Sequence, residues 1–378
     1  MMVDKRKFKD TNVSLLGLGT MRLPCETEQK RESNPNIDYD KAQSLVDLAY
    51  KKGVNYFDTA YMYHCGKSEA FIGYALKKYP RDTYYLADKL PIWMCDTKED
   101  MKRVFDEQLE RTGMDYFDFY LLHSLDNENF EKCEKFDAYD FLKKMQKEGK
   151  IKYIGFSFHG TVDDLRNIVS AHKWDFAQIQ MNYLDWENQN AKMQYQILED
   201  ADIPTIVMEP VRGGKLALVN DEISDMFKSL KPDNSPASWA MGFVASHKNI
   251  ITILSGMNNA EQMLDNLSTL TDFKPFTDIE YSLCEKAAAI INKSEVISCT
   301  GCDYCQPCPK GIKISSFFSL YNSVVSGEID INSGRDKYNS YKVNPTACAW
   351  CNKCKNHCPQ SISVPDVLEG KVVKLFMQ

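Results

Sequence analysis

The sequence predicts a (β/α)8 TIM barrel followed by a small, mainly α-helical, cysteine-rich domain. Two observations predict the barrel. Eight short apolar runs alternate with helical patterns from the N-terminal region to Leu270. No G-x-G-x-x-G follows an early run, because "GLGT" at Gly17–Thr20 lacks the third glycine and has no helix directly after it. That disfavours the runner-up, a doubly wound open sheet. A third observation predicts the second domain: eight of the 13 cysteines lie between Cys299 and Cys358.

The elements follow in order. "VSLLGLGT" precedes "DYDKAQSLVDLAYKKG", and "VNYFDTA" precedes "GKSEAFIGYALKKYP". "TYYLADKL" leads to "TKEDMKRVFDEQLERTG", "FDFYLLH" to "YDFLKKMQKEG" and "IKYIGFSFH" to "TVDDLRNIVSAH". "FAQIQMNY", "PTIVMEP" and "IITILSG" complete the series, each followed by a helix-like stretch. The strands are nearly continuous apolar runs, as strands buried on both faces should be. The helices place apolar residues three and four apart. Asp278–Lys293 reads as a helix leading out of the barrel. The expected division is 1–275 for the barrel, 276–298 for a linking helix and 299–378 for the cysteine domain.

Composition narrows the function. Hydrophobic residues make up 43% of the chain, enough for a sizeable core, and the formal charge is −7. Mild acidity argues against nucleic acid or an anionic membrane as the main partner. "MMVDKRKFKD" has no apolar core of a secretory signal, and no run of about 18 apolar residues exists to span a membrane. A cytoplasmic location is expected. Thiols there serve metal or catalysis more often than disulfides. Cys25, Cys65, Cys95, Cys133 and Cys284 are scattered and read as packing residues.

The other eight cysteines form two groups. "CAWCNKCKNHCP" has Cys348, Cys351, Cys354 and Cys358 in C-x2-C-x2-C-x3-C-P spacing, the run of bacterial ferredoxins. "CTGCDYCQPCP" has Cys299, Cys302, Cys305 and Cys308, with one residue fewer before the last cysteine. Three closely spaced thiolates can hold one cubane, and the cysteine before proline usually serves the neighbouring one. Two [4Fe–4S] clusters with exchanged fourth ligands are therefore expected. Zinc is the competing assignment, but structural zinc favours C-x2-C pairs separated by ten or more residues. "ISSFFSLYNSVVSG", between the groups, is an apolar helical pattern that resembles α-helical ferredoxin modules attached to other redox enzymes.

In a barrel, chemistry sits at the C-terminal strand ends. Asp58 ends the second predicted strand, Tyr63 follows in its loop, Lys89 ends the third and His123 the fourth. Each residue by itself has a plain reading, as a helix cap or a solvated charge; four in order do not. An ammonium beside a phenol favours the phenolate, and a histidine can donate a hydrogen bond to a carbonyl oxygen. Such a set suits proton delivery to a carbonyl that receives a hydride. His64 and Cys65, next to Tyr63, read as pocket or packing residues.

"LGLGTMRLP", "FDTAYMY", "DKLP", "FYLLHSL", "IGFSF", "AQIQMNY" and "EPVRGGKL" make the first 275 residues resemble the aldo-keto reductase family. The whole chain is similar to its subgroup with a C-terminal 4Fe–4S ferredoxin-type domain. The resemblance implies Asp58, Tyr63, Lys89 and His123 as catalytic tetrad. Tyr63 would be the general acid, tuned by Lys89 and Asp58, with His123 orienting the carbonyl of a small-molecule carbonyl or alcohol substrate. It implies a nicotinamide dinucleotide held by Thr20, Met21, Ser157, Gln178, Met208, Arg212, Gly213, Ser255, Gly256, Gln262, Asp265 and Asn266. The chain departs from the family pattern in three places. Phe158 replaces the usual asparagine, Met208 the aromatic residue that stacks on the nicotinamide, and "HC" lengthens the loop after Tyr63. Gly256 and Gln262 stand where cations often clamp a 2′-phosphate, so NADH is favoured over NADPH. Arg212 and Lys215 are the nearby cations.

A hydride carries two electrons and a [4Fe–4S] centre one at a time. Two other readings stand beside the carbonyl reductase: an electron-transfer enzyme using flavin or a redox protein partner such as ferredoxin in place of nicotinamide, which Phe158 and Met208 keep open, and a non-enzymatic partner subunit that senses nucleotide.

Overall fold

The computed structural model describes residues 2–26, 36–293, 295–360 and 362–377. The chain divides into two compact units. One comprises Met1–Val211 with Val219–Glu285, and the other Arg212–Leu218 with Lys286–Gln378.

The first unit opens with a hairpin of β1 (Lys5–Phe8) and β2 (Thr11–Ser14). Its charged sequence carries no strand-like apolar run, and it was not among the expected elements. Eight parallel strands follow: β3 (Leu16–Gly19), β4 (Tyr56–Asp58), β5 (Tyr85–Leu90), β6 (Phe117–Leu125), β7 (Ile151–Phe158), β8 (Phe176–Gln180), β9 (Thr205–Met208) and β10 (Ile250–Ser255). They close into a barrel in sequence order, β10 pairing with β3. Phe8 and Val13 of the hairpin share a core with Tyr56, Phe119 and Phe176 of the barrel strands. Large apolar area therefore leaves water at the end opposite the strand termini that carry chemistry.

Local signals fix the helices. Thr97 and Asp100 form a reciprocal capping box at the start of Lys98–Thr112, which stops at Gly113. Thr161 and Asp164 do the same for Val162–Ala171. Each cap contributes about 1 kcal/mol.

The second unit has its own core. Phe317, Phe318 and Tyr321 of helix Ile314–Val325 pack with Tyr338 of helix Ile331–Ser340 and with Val372 and Phe376 near the C-terminus. Six of the eight grouped cysteines pack against this core. Among the described residues, no helix is long and apolar enough to cross a membrane.

Candidate functional site

Asp58 ends β4, Lys89 lies near the end of β5 and His123 near the end of β6, and these three strands are hydrogen-bonded neighbours. The pairing brings their side chains to one place. Lys89 Nζ donates to Asp58 Oδ1 at 2.7 Å and to the Thr59 carbonyl at 2.7 Å, and both side chains are buried. The same ammonium is 5.0 Å from the centre of the Tyr63 ring. The Tyr63 and His123 rings meet edge to face, with centroids 6.3 Å apart. All four tetrad residues are thus gathered.

His123 reaches this position through an irregularity. The β6–β7 register shifts between Leu122 and Leu125, and Ser124 takes a left-handed backbone with φ of 55°. Bulges of this kind re-aim side chains beside functional sites. Ser124 N donates to Ser157 Oγ at 2.7 Å, which pins the bulge to β7. Burial, then the charge of Lys89, push the His123 pKa well below the ordinary histidine value. The ring is therefore neutral. Its Nδ1 makes no hydrogen bond among the described residues. Asp58 feels two opposed effects, burial raising its pKa and Lys89 lowering it, and burial is the larger.

The loop after Tyr63 is unusual. His64, Cys65 and Gly66 all have positive φ, at 52°, 55° and 85°. Two consecutive non-glycine residues in that region cost of order 1–3 kcal/mol each. His64 is buried, with Nδ1 3.8 Å from Cys25 Sγ, while Cys65 is exposed. Below Lys89 lies a buried polar layer. Gln108 Nε2 donates to Glu69, Asp88 and the Lys89 carbonyl, and Asp88 accepts from Lys89 N at 2.8 Å. That layer holds the strand end that carries the lysine.

The expected nucleotide contacts are divided between the two units. Thr20 Oγ1 donates to the Asp58 carbonyl and accepts from Ser68, and Met21 follows it in a short 3-10 turn. Ser157 and Gln178 stand opposite each other on β7 and β8. Gln178 Nε2 donates to Met208 Sδ at 3.4 Å, and its buried Oε1 makes no hydrogen bond among the described residues. Ser255 accepts from Asn266 at 2.9 Å, and Asp265 accepts from Ser235 at 2.7 Å. Asn259 caps the helix Ala260–Thr269 by accepting from Gln262 N, and Gln262 Oε1 accepts from Asn258 N. Arg212 and Gly213 belong to the second unit, where Arg212 donates through Nε and Nη2 to Gln360 Oε1 at 3.2 Å. Sequence reasoning overlooked one cation in the first unit. Arg22 pairs with Glu209 at 2.8 Å, and its Cδ lies 3.1 Å from where a Gly256 side chain would begin. The signal was present as the basic residue of "GTMR".

The aldo/keto reductase family profile matches residues 15–289. The chain belongs to the aldo/keto reductase family. Among its relatives, the uncharacterized oxidoreductase YqkF of Bacillus subtilis is 24% identical over 299 residues, 70% of this chain and 90% of its own length. The NADH-specific methylglyoxal reductase of Escherichia coli is 24% identical over 309 residues, 69% of this chain and 91% of its own. The holo form of aldo-keto reductase AKR11C1 from Bacillus halodurans shares the fold with a TM-score of 0.61 at 24% identity, covering 75% of this chain and 96% of that one. This aldo-keto reductase is an oxidoreductase, and a non-catalytic nucleotide sensor is set aside.

The second unit of this reductase holds the grouped thiols. One cavity is lined by Cys299, Cys302, Cys305 and Cys358, together with Pro359 and Gln360. The other is lined by Cys308, Cys348, Cys351 and Cys354, with Cys305 also reaching it. Each cavity thus combines the first three cysteines of one group with the last cysteine of the other. None of the eight is joined in a disulfide, and none is fully buried. Among the described residues, no three His, Cys, Asp or Glu side chains converge as ligands of one metal ion.

Proposed function

We propose that the barrel reduces a carbonyl compound, or oxidises the corresponding alcohol, with NAD(H) as hydride carrier and Tyr63 as general acid. The observation that carries this reading is the buried Lys89–Asp58 pair set 5.0 Å from the Tyr63 ring. A bound nicotinamide would supply the hydride to the carbonyl carbon. Tyr63 gives its hydroxyl proton to the oxygen as that atom gains charge. The Lys89 ammonium stabilises the phenolate left behind, and Asp58 keeps the lysine oriented. His123, neutral because it is buried, donates a ring N–H to the same oxygen.

Two features support a nicotinamide. Gln178 Oε1 is a buried acceptor with its capacity unused by the described residues, suited to a carboxamide N–H. Ser157 stands beside it on the next strand. NADH rather than NADPH is supported by the neutral Gly256–Gln262 stretch and by the commitment of Arg22 to Glu209. The test is nucleotide oxidation with a panel of aldehydes, comparing the two nucleotides. A lower KM for NADH is expected, and a clear preference for NADPH would contradict the cofactor assignment. The methionine at 208 favours a second reading, in which flavin takes the nicotinamide's place. Flavin bound to purified protein would select it.

We infer further that the second unit holds two [4Fe–4S] clusters. Cys299, Cys302, Cys305 and Cys358 would ligate one, and Cys348, Cys351, Cys354 and Cys308 the other. What supports this is the lining of the two cavities, which reproduces the exchange of fourth ligands. Thiols spaced around a cavity suit the corners of a cubane better than a single zinc. Such groups accept and return one electron at a time. Anaerobically purified protein should be brown and contain about eight irons per chain. Colourless protein loaded with zinc would overturn the inference.

A further inference from the structure

Arg212–Leu218 follows β9 directly in the chain yet belongs to the second unit. Three contacts within that unit fix it beside the first thiol cavity. Arg212, buried, places its guanidinium on the side chain of Gln360, which is also buried and lines the cavity two residues after Cys358. Lys215 Nζ donates to the carbonyl of Ile297, two residues before Cys299. Gly213 lies against Thr300, where a Cβ would come within 2.8 Å of both the Thr300 Cβ and its carbonyl oxygen. At φ of 66° and with that clearance, only glycine fits. Asp303, also lining the cavity, is the opposing charge.

The second cavity lacks this arrangement. Its lining lysines, Lys310 and Lys353, are exposed. Water and salt screen an exposed charge, whereas a buried one acts at lower effective dielectric. The two cavities therefore offer unequal environments to the same kind of group.

We propose that Arg212, aided by Lys215, raises the reduction potential of the cluster held by Cys299, Cys302, Cys305 and Cys358 relative to its neighbour. This rests on the [4Fe–4S] reading above. Reduction adds one electron, and so one negative charge, to the thiolate-ligated group. A fixed cation nearby favours that form, as the charge and hydrogen bonding around a cluster set its potential. Arg212 suits the task because its guanidinium stays charged at any working pH.

The test is an EPR-monitored redox titration of the full-length protein, purified anaerobically, with iron determined in parallel. Arg212→Gln should lower the potential of one cluster by about tenfold in its one-electron equilibrium, about 59 mV, and leave the other in place. Arg212→Lys keeps the charge without the fork and should restore most of that shift; a purely structural role would not be rescued this way. If Arg212→Gln binds less iron than wild type, Lys215→Met supplies the same comparison. Unchanged potentials at full iron content overturn this proposal alone. Wild-type protein without iron–sulfur absorption overturns the cluster reading, and the proposal with it.

Discussion

The tetrad of the barrel and the thiols of the second unit are held in opposite ways. Asp58, Lys89 and His123 ride on strands whose backbones are paired on both sides, and all three side chains are buried. Lys89 already has two acceptors at 2.7 Å. The cysteines stand mostly on irregular loops, and Cys351 is exposed. Four thiolates around one cavity repel each other unless a cationic group sits among them. The barrel site is thus paid for by the fold, whereas the thiol sites depend on what they bind.

That contrast can be broken in stages, beginning with the strongest intervention. With the proposed clusters in place, stripping their iron with a chelator should abolish hydrogen-exchange protection around Ile314–Val325 while the strands of the barrel keep theirs. Equal protection before and after chelation would show that the second unit folds without help. Next, Lys89→Met leaves Asp58 buried and unpaired, which costs about 3–5 kcal/mol. Urea unfolding should register that loss, and adding Asp58→Asn should recover much of it. A single variant as stable as wild type would mean that the pair carries no structural weight.

The smallest expected effect concerns pH. A free histidine charges below about pH 6.5, but His123 is held well below that value by burial and by Lys89. The folded protein does not take up this proton as pH falls through 6.5, whereas the unfolded chain does. Stability should therefore decline as pH drops below about 6.5, and His123→Gln should soften the decline. By the same argument, the profile of kcat/KM should have no acid limb near pH 6.5. A limb there, absent in His123→Gln, would show that the ring ionises in the working enzyme.

Much of the barrel could be read from the sequence because each buried strand is a near-continuous apolar run. The meeting of Asp58, Lys89 and His123 on neighbouring strands was legible for the same reason, because each interrupts or ends such a run. Other features depend on partners far apart in the chain. Arg22 and Glu209 are separated by 187 residues, and neither has a local signal for the other. The bulge that turns His123 arises from pairing between β6 and β7, which spacing alone does not reveal. The contact of Arg212 with Gln360 spans 148 residues and likewise has no local signal.

The central claim is that Tyr63 delivers a proton at a carbonyl reduced by hydride. Tyr63→Phe keeps the ring against Lys89 and His123 and removes only the hydroxyl. Under anaerobic conditions, with an aldehyde that wild-type protein reduces, the variant should lose about 10²–10⁴-fold in kcat while binding NADH as before. A variant that turns over at the wild-type rate would contradict the account.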